Sequence, residues 1–177
     1  MRLERSSSVL LIIDVQERLM PVMHERAEVE GNIERLIRGA HVLGVPVIVS
    51  EQYVKGLGRT VEPLRMALEE TGAYQPVEKI CFSAAAQLDA LERRQVLVAG
   101  VEAHVCVYQT ASDLLARGLS VTLLADAITS RSAHNKSIAI QRLVSDGAKL
   151  SSTEMALFEL LGAAGTDEFR AISKIVK

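Results

Sequence analysis

Leu114-Leu-Ala-Arg-Gly118-Leu-Ser-Val-Thr-Leu-Leu124 reads as a helix end, a stop and a buried strand. Glycine enters the left-handed conformation that closes a helix without the clash a Cβ would bring. The run behind it is almost continuously apolar, the mark of a strand covered on both faces. The phrase occurs twice more. His41-Val-Leu-Gly44 leads into Val45-Pro-Val-Ile-Val49, and Leu143-Val-Ser-Asp-Gly147 leads into Ala148-Lys-Leu150. Helices that alternate with buried strands specify an α/β fold around a parallel sheet.

Working outward, strands are expected at about 8–14, 45–50, 77–81, 95–101, 119–125 and 148–151. Helices fill the intervals, at about 29–43, 61–71, 84–93, 104–117, 135–146 and 152–162. A last helix near 167–176 follows Thr166, a residue suited to capping. Ser151-Ser-Thr-Glu154 has the spacing of a capping box. No repeat or linker interrupts the pattern, so residues 1–177 read as one domain. The longest irregular stretch, at about 52–60, contains Gly56 and Gly58 and follows the second strand. That is a natural place for an active-site loop.

With 177 residues and 19.3 kDa the chain can bury an ample core. Net charge is −2, the pI is near 6.1 and aromatics are 3% with no Trp. Such a chain offers neither a phosphate-tracking patch nor a base-stacking surface, so no nucleic-acid partner is expected. The apolar run at 9–13 stops at Asp14, too short for a signal-peptide core, and no segment has the length to cross a bilayer. The expectation is a cytoplasmic protein with no membrane partner. In a reducing compartment Cys81 and Cys106 are free thiols.

Ligands of open parallel sheets bind beyond the carboxyl ends of the strands. Asp14 ends the first strand, Ser50 and Glu51 the second, and Lys79 lies at the third. The fourth runs through Val98-Ala-Gly-Val-Glu-Ala-His-Val-Cys106 into a helix. A thiol near a helix start, with a cation close by, is a candidate nucleophile because both lower its pKa. Each of these residues also has a plain reading. Cys106 can be a small core hydrophobe, Asp14 a turn residue and Lys79 a solvated one. Cys81, inside a strand-like stretch, reads as core. His104 either tunes the thiol and lines the cleft or closes a local hydrogen bond. The loop Lys55-Gly-Leu-Gly-Arg-Thr60 lacks P-loop spacing; it is an anion grip or a surface loop. The four histidines show no metal-ligand spacing, so neither a metal nor another cofactor is expected.

Leu11-Ile-Ile-Asp14-Val-Gln16, Glu78-Lys-Ile-Cys-Phe-Ser83 and Val98 to Ala111 together resemble the isochorismatase-like cysteine hydrolases, which include nicotinamidases and N-carbamoylsarcosine amidases. The likeness covers nearly the whole chain. A narrower likeness, to isochorismatase domain-containing proteins, lies in Glu51-Gln-Tyr-Val-Lys-Gly-Leu-Gly-Arg-Thr60, in Val101 to Cys106 and in Ser130-Arg-Ser132. The resemblance implies a three-layer α/β/α sandwich with a mostly parallel six-stranded sheet. It implies Asp14 as general base, Lys79 as charge partner and Cys106 as nucleophile. It also implies a cis peptide at Val101–Glu102, an oxyanion hole from the Glu102 and Cys106 backbone amides, and a homo-oligomer, dimer or higher. The apolar Met155-Ala-Leu-Phe-Glu-Leu-Leu161 helix is a candidate contact surface. Gln16, Leu19, Gln52, Tyr53, Phe82 and His104 are the candidate substrate pocket.

Two departures from the family pattern narrow the expectation. Metal-binding nicotinamidases carry Asp-x-His after the second strand, where this chain has Ser50-Glu51-Gln52. Members usually have Thr or Ser and then Asp before the nucleophile, where this chain has Ala103-His104. The expected activity is hydrolysis of a small amide or related C–N acyl bond through a thioester. The alternatives are a non-catalytic binding or scaffold protein, and a redox-sensing thiol protein, that keep the pocket.

Overall fold

A computed structural model of the chain describes residues 2–89 and 92–177. The strands are β1 (Ser8–Ile13), β2 (Val47–Gln52), β3 (Val77–Lys79), β4 (Gln95–Val101), β5 (Ser120–Thr129) and β6 (Lys149–Ser151). They form one sheet in the order β3-β2-β1-β4-β5-β6, and every neighbouring pair is parallel. The helices are α1 (Arg26–Leu43), α2 (Val54–Leu57), α3 (Glu62–Glu70), α4 (Tyr108–Ala116), α5 (Ala133–Ser145), α6 (Thr153–Leu161) and α7 (Asp167–Ile175).

The pleat of β1 shows how the layers arise. Successive side chains of a strand point to opposite faces. Leu10 and Ile12 join the core formed with α1, α3, α6 and α7. Val9, Leu11 and Ile13 join a second core formed with α4 and α5. Both faces of β1 are therefore covered, and all six of its residues are buried. Each such aliphatic side chain contributes about 1.5–3 kcal/mol on burial. The three-layer α/β/α sandwich implied by the resemblance is the observed one, with every strand pair parallel.

Gly100 fixes the spacing of the two central strands. Its φ is +118°, and a Cβ there would lie 2.1 Å from the Ile13 carbonyl oxygen. No larger residue fits between β4 and β1 at this height. The β4–β5 register shifts at the same level, between Val98 and Gly100.

The structure departs from the sequence reading at several places. The helix expected at 84–93 is a single 3₁₀ turn, Ala85–Leu88, and positions 90 and 91 of that expectation lie outside the described residues. Arg93 and Arg94 are drawn back to the start of β1, through bonds to the Arg5 and Ser7 carbonyls, which leaves no length for a longer helix. Cys81 is not core but exposed, because β3 stops at Lys79 and is an edge strand. The capping box fails because Ser151 still belongs to β6; Ser152 caps α6 instead, accepting from the Met155 amide at 3.3 Å. Nor is α6 a free contact surface. Ala156, Leu157, Leu160 and Leu161 fill the core, and Leu157 packs so closely on Gly39 of α1 that a Cβ there would meet it at 2.5 Å.

Candidate functional site

The chain visits β2 and β3 before it returns to place β4 beside β1. At such a reversal the two connections leave on opposite sides, and a crevice opens beyond the strand ends. Asp14 follows β1 and Cys106 follows β4, so both stand at this crevice.

Asp14 has a left-handed φ of 53°, which Asp tolerates better than most residues. Its side chain is fully buried. Oδ1 accepts from Ser50 Oγ at 2.7 Å, and Oδ2 accepts from Lys79 Nζ at 2.7 Å. The Cys106 thiol stands beside the same carboxylate, near enough that each shifts the other's titration. Lys79 reaches inward from the end of β3, and its side chain is 4% exposed. Its ammonium also donates to Gln52 Oε1 at 2.7 Å, the Phe82 carbonyl at 3.0 Å and the Cys81 carbonyl at 3.3 Å. Three N–H groups meet four acceptors, so Lys79 is a fixed cation with no free proton to offer.

Cys106 lies in a wide π-type turn, Ala103–Val107, that runs into α4. Thr110 Oγ1 donates to the Cys106 carbonyl at 2.6 Å and accepts from the Ala84 amide at 2.9 Å. The peptide between Val101 and Glu102 is cis. Burial, joined by the adjacent Asp14 charge, pushes the Cys106 thiol up to about 12, with Lys79 acting against both. Burial also holds the Asp14 carboxyl above the usual carboxylate value, offset in part by Lys79, Cys106 and Ser50. The lowered thiol pKa expected from a helix start is thus reversed, because desolvation outweighs the helix dipole and the lysine. At pH 7 only about 10⁻⁵ of such a thiol is ionised. Iodoacetamide at pH 7 is accordingly expected to modify exposed Cys81 before Cys106, contrary to the sequence argument. Peptide mapping that finds Cys106 modified first would refute this.

The candidate pocket residues divide into two groups. Gln16 and Gln52 turn their amides inward. Gln16 Nε2 donates to the Gln52 and Gly58 carbonyls at 2.9 and 2.6 Å, and its Oε1 accepts from the Gln52 amide at 2.8 Å. Gln52 Nε2 donates to the Ile80 carbonyl at 2.6 Å. These side chains are committed to the protein itself rather than to a ligand. Leu19 is half-buried against the core. His104 does not share a face with Cys106, since positions two apart on a helical turn diverge; its Nδ1 is 2.9 Å from Ser130 Oγ. Tyr53 and Phe82 are exposed. The Tyr53 ring lies over Gly56, where a Cβ would meet it at 2.3 Å. With Val54, Lys55, Glu78, Lys79 and Ile80, Tyr53 lines a cleft of about 290 Å³ on the β3 side.

The stretch at 52–60 is pinned rather than free. Besides Gln16, Arg18 holds it through Nη1 to the Gly56 carbonyl at 2.8 Å. Arg131, quoted within Ser130-Arg-Ser132 for the narrower likeness, was given no role by the sequence reading. Its backbone N–H and its Nε both donate to Glu102 Oε2, at 3.0 and 3.1 Å, and tie the turn before Cys106 to the start of α5. The register of β4 against β5, which pairs Val101 with Thr129, is what brings Arg131 beside Glu102. Among the described residues no group of three or more His, Cys, Asp or Glu is placed to hold a metal ion. Among them, too, no helix is long and apolar enough to cross a membrane.

The comparisons with known proteins agree with this architecture. A family model described as the isochorismatase domain matches residues 8–155. Isochorismatase domain-containing protein 2 of Bos taurus is 41% identical over 178 residues, which cover 97% of this chain and 83% of the relative. The secreted isochorismatase effector Isc1 of Phytophthora sojae is 36% identical over 183 residues, 99% of this chain and 87% of the effector. The structure of MAR1 ribonuclease from Caenorhabditis elegans superposes with a TM-score of 0.91 at 35% identity, over 99% of this chain and 92% of that one. The domain match spans β1 through the start of α6, the whole framework that carries Asp14, Lys79 and Cys106: this chain belongs to the isochorismatase family.

Proposed function

We propose that the protein hydrolyses a small amide or related C–N acyl bond through a thioester on Cys106. The observation that carries this reading is the buried cluster in which Lys79 is hydrogen-bonded to Asp14 and the Cys106 thiol feels the charge of both. In this mechanism Asp14 takes the thiol proton as sulfur attacks the carbonyl carbon, so no standing thiolate is needed. As the proton moves, negative charge passes from Asp14 through sulfur to the carbonyl oxygen, and the Lys79 ammonium beside Asp14 is the nearby countercharge. The Glu102 and Cys106 backbone N–H groups are the proposed oxyanion donors. Protonated Asp14 gives its proton to the leaving nitrogen, which departs as the amine. Water, deprotonated by Asp14, attacks the thioester, and the acid leaves as Cys106 regains its proton.

Tyr53, Phe82 and the adjoining apolar cleft are the proposed substrate wall on this reading. The protein uses no metal or other cofactor in this scheme. The C. elegans neighbour is named a ribonuclease, but a net charge of −2 gives this chain little attraction for a phosphate backbone. The test is a small-amide library followed by intact mass spectrometry for acyl adducts on Cys106. We also propose a homo-oligomer. Exposed Val144, Leu150 and Met155, on the successive elements α5, β6 and α6, support it. Light scattering at micromolar concentration is expected to give at least a dimer mass, and a monomer mass rejects it.

A further inference from the structure

Strand β2 ends in Ser50-Glu51-Gln52. Alternation along a strand puts the first and third of these on one face and the second on the other. On the first face Ser50 Oγ donates to Asp14 Oδ1, and Gln52 Oε1 accepts from Lys79 Nζ, both at 2.7 Å. The strand thus gives the anion a neutral donor and the cation a neutral acceptor. The acid between them is kept away. Glu51 is buried on the far face, where its Oε1 accepts from the Thr60 amide, the Thr60 hydroxyl and the Tyr74 hydroxyl at 2.8, 2.7 and 3.0 Å.

We infer that Gln52 is a positioning residue whose neutrality the site requires: it holds the Lys79 ammonium in place while leaving Asp14 as that ammonium's sole carboxylate partner. The inference rests on the triad reading above. When the Cys106 proton moves to Asp14, negative charge leaves the carboxylate and appears on sulfur. The fixed Lys79 ammonium stabilises that displaced charge fully only if no other anion already neutralises it. A carboxylate at position 52 would hold it, since the contact is already 2.7 Å, and a buried pair at that distance interacts strongly. Gln52 is itself rigidly set, with its backbone N–H and carbonyl both bonded to the Gln16 amide and its Nε2 bonded to the Ile80 carbonyl.

The experiment follows alkylation of Cys106 by iodoacetamide between about pH 7 and about pH 10, with Cys81 as the internal standard. Gln52→Glu is expected to slow Cys106 by about tenfold or more at each pH, equivalent to about 1.4 kcal/mol. Gln52→Leu removes the acceptor but adds no charge; it is expected to slow Cys106 by less than about threefold. If the two variants behave alike, or if Gln52→Glu matches the parent, the inference is overturned. A second measurement does not depend on Gln52→Glu folding alone. Asp14→Asn leaves Lys79 without an anion, and adding Gln52→Glu is expected to raise its melting temperature. No rise overturns the inference as well. If Asp14→Asn itself leaves Cys106 alkylation unchanged, the triad reading fails. If Asp14→Asn changes that rate and Gln52→Glu does not, only the role of Gln52 fails.

Discussion

Cys106→Ala is expected to abolish acyl-enzyme formation and to lower turnover of any amide substrate by at least about 10³-fold, because a covalent mechanism has no detour around its nucleophile. The parent protein, mixed with a library of small amides, is expected to gain the mass of an acyl group on Cys106 and lose it again with time. The burial of the thiol and its pKa of about 12 set how this happens. Sulfur must be deprotonated as it attacks, so a good substrate has to seat its carbonyl beside both the thiol and Asp14. Asp14→Asn is therefore expected to fall nearly as far as Cys106→Ala, since residues that act as one unit are not additive. Their double variant is expected to be no worse than either. Turnover that survives in Cys106→Ala, or adducts found only on Cys81, would sink the proposed chemistry.

The second large effect concerns stability. Asp14 and Lys79 form an ion pair whose side chains are 0% and 4% exposed. Removing one member of such a pair strands the other and costs about 3–5 kcal/mol. Replacing both with apolar residues of similar size restores most of that loss. Asp14→Leu with Lys79→Met is accordingly expected to lie within about 1–2 kcal/mol of the parent in urea unfolding, far from the sum of the single changes. Additive losses would show that the pair is not the coupled unit described. The single variants also differ with pH. Asp14 has its folded pKa raised by burial, so protonation favours the fold. Its favourable contribution is complete below the unfolded carboxylate value and is lost as pH rises through the folded value. Lys79→Met removes the cation that opposes this shift. Its stability deficit is therefore expected to grow as pH rises from about 4, by up to about 1.4 kcal/mol per unit. Asp14→Asn, with no group there to titrate, is expected to lack that slope.

The framework was legible because it depends on patterns that a single chain displays locally. Apolar runs behind glycines marked the parallel strands, and Gly44, Gly118 and Gly147 all take positive φ as those phrases require. What escaped depends on partners distant in sequence. The stretch at 84–93 has helical composition, yet Arg93 and Arg94 are drawn to the start of β1. Cys81 looked like core because Ile80 and Phe82 flank it, but an edge strand of three residues has little cover to give. The candidate site was readable as residue types at strand ends. Their electrostatics were not. A thiol near a helix start reads as activated, and only its burial beside a carboxylate reverses the sign. Gln16 and Gln52 read as pocket residues because amides commonly face ligands. Their mutual hydrogen bonds follow from β2 extending to Gln52, two residues beyond the expected end.

The pairing of β1 with β4 has a consequence for the order of events during synthesis. Ser8 and Gln95, partners at the start of that pairing, are 87 residues apart. The most apolar strand of the sheet therefore leaves the ribosome long before the neighbour that covers its second edge. Closing so long a connection is entropically slow, and a parallel strand with an unpaired edge invites association in the meantime. The catalytic-site candidates share that delay, because Cys106 emerges only after β4 and no partial chain can assemble the network. A nascent chain stalled before residue 95 is thus expected to need protection by a chaperone, whereas one that carries β5 already has the whole centre of the sheet.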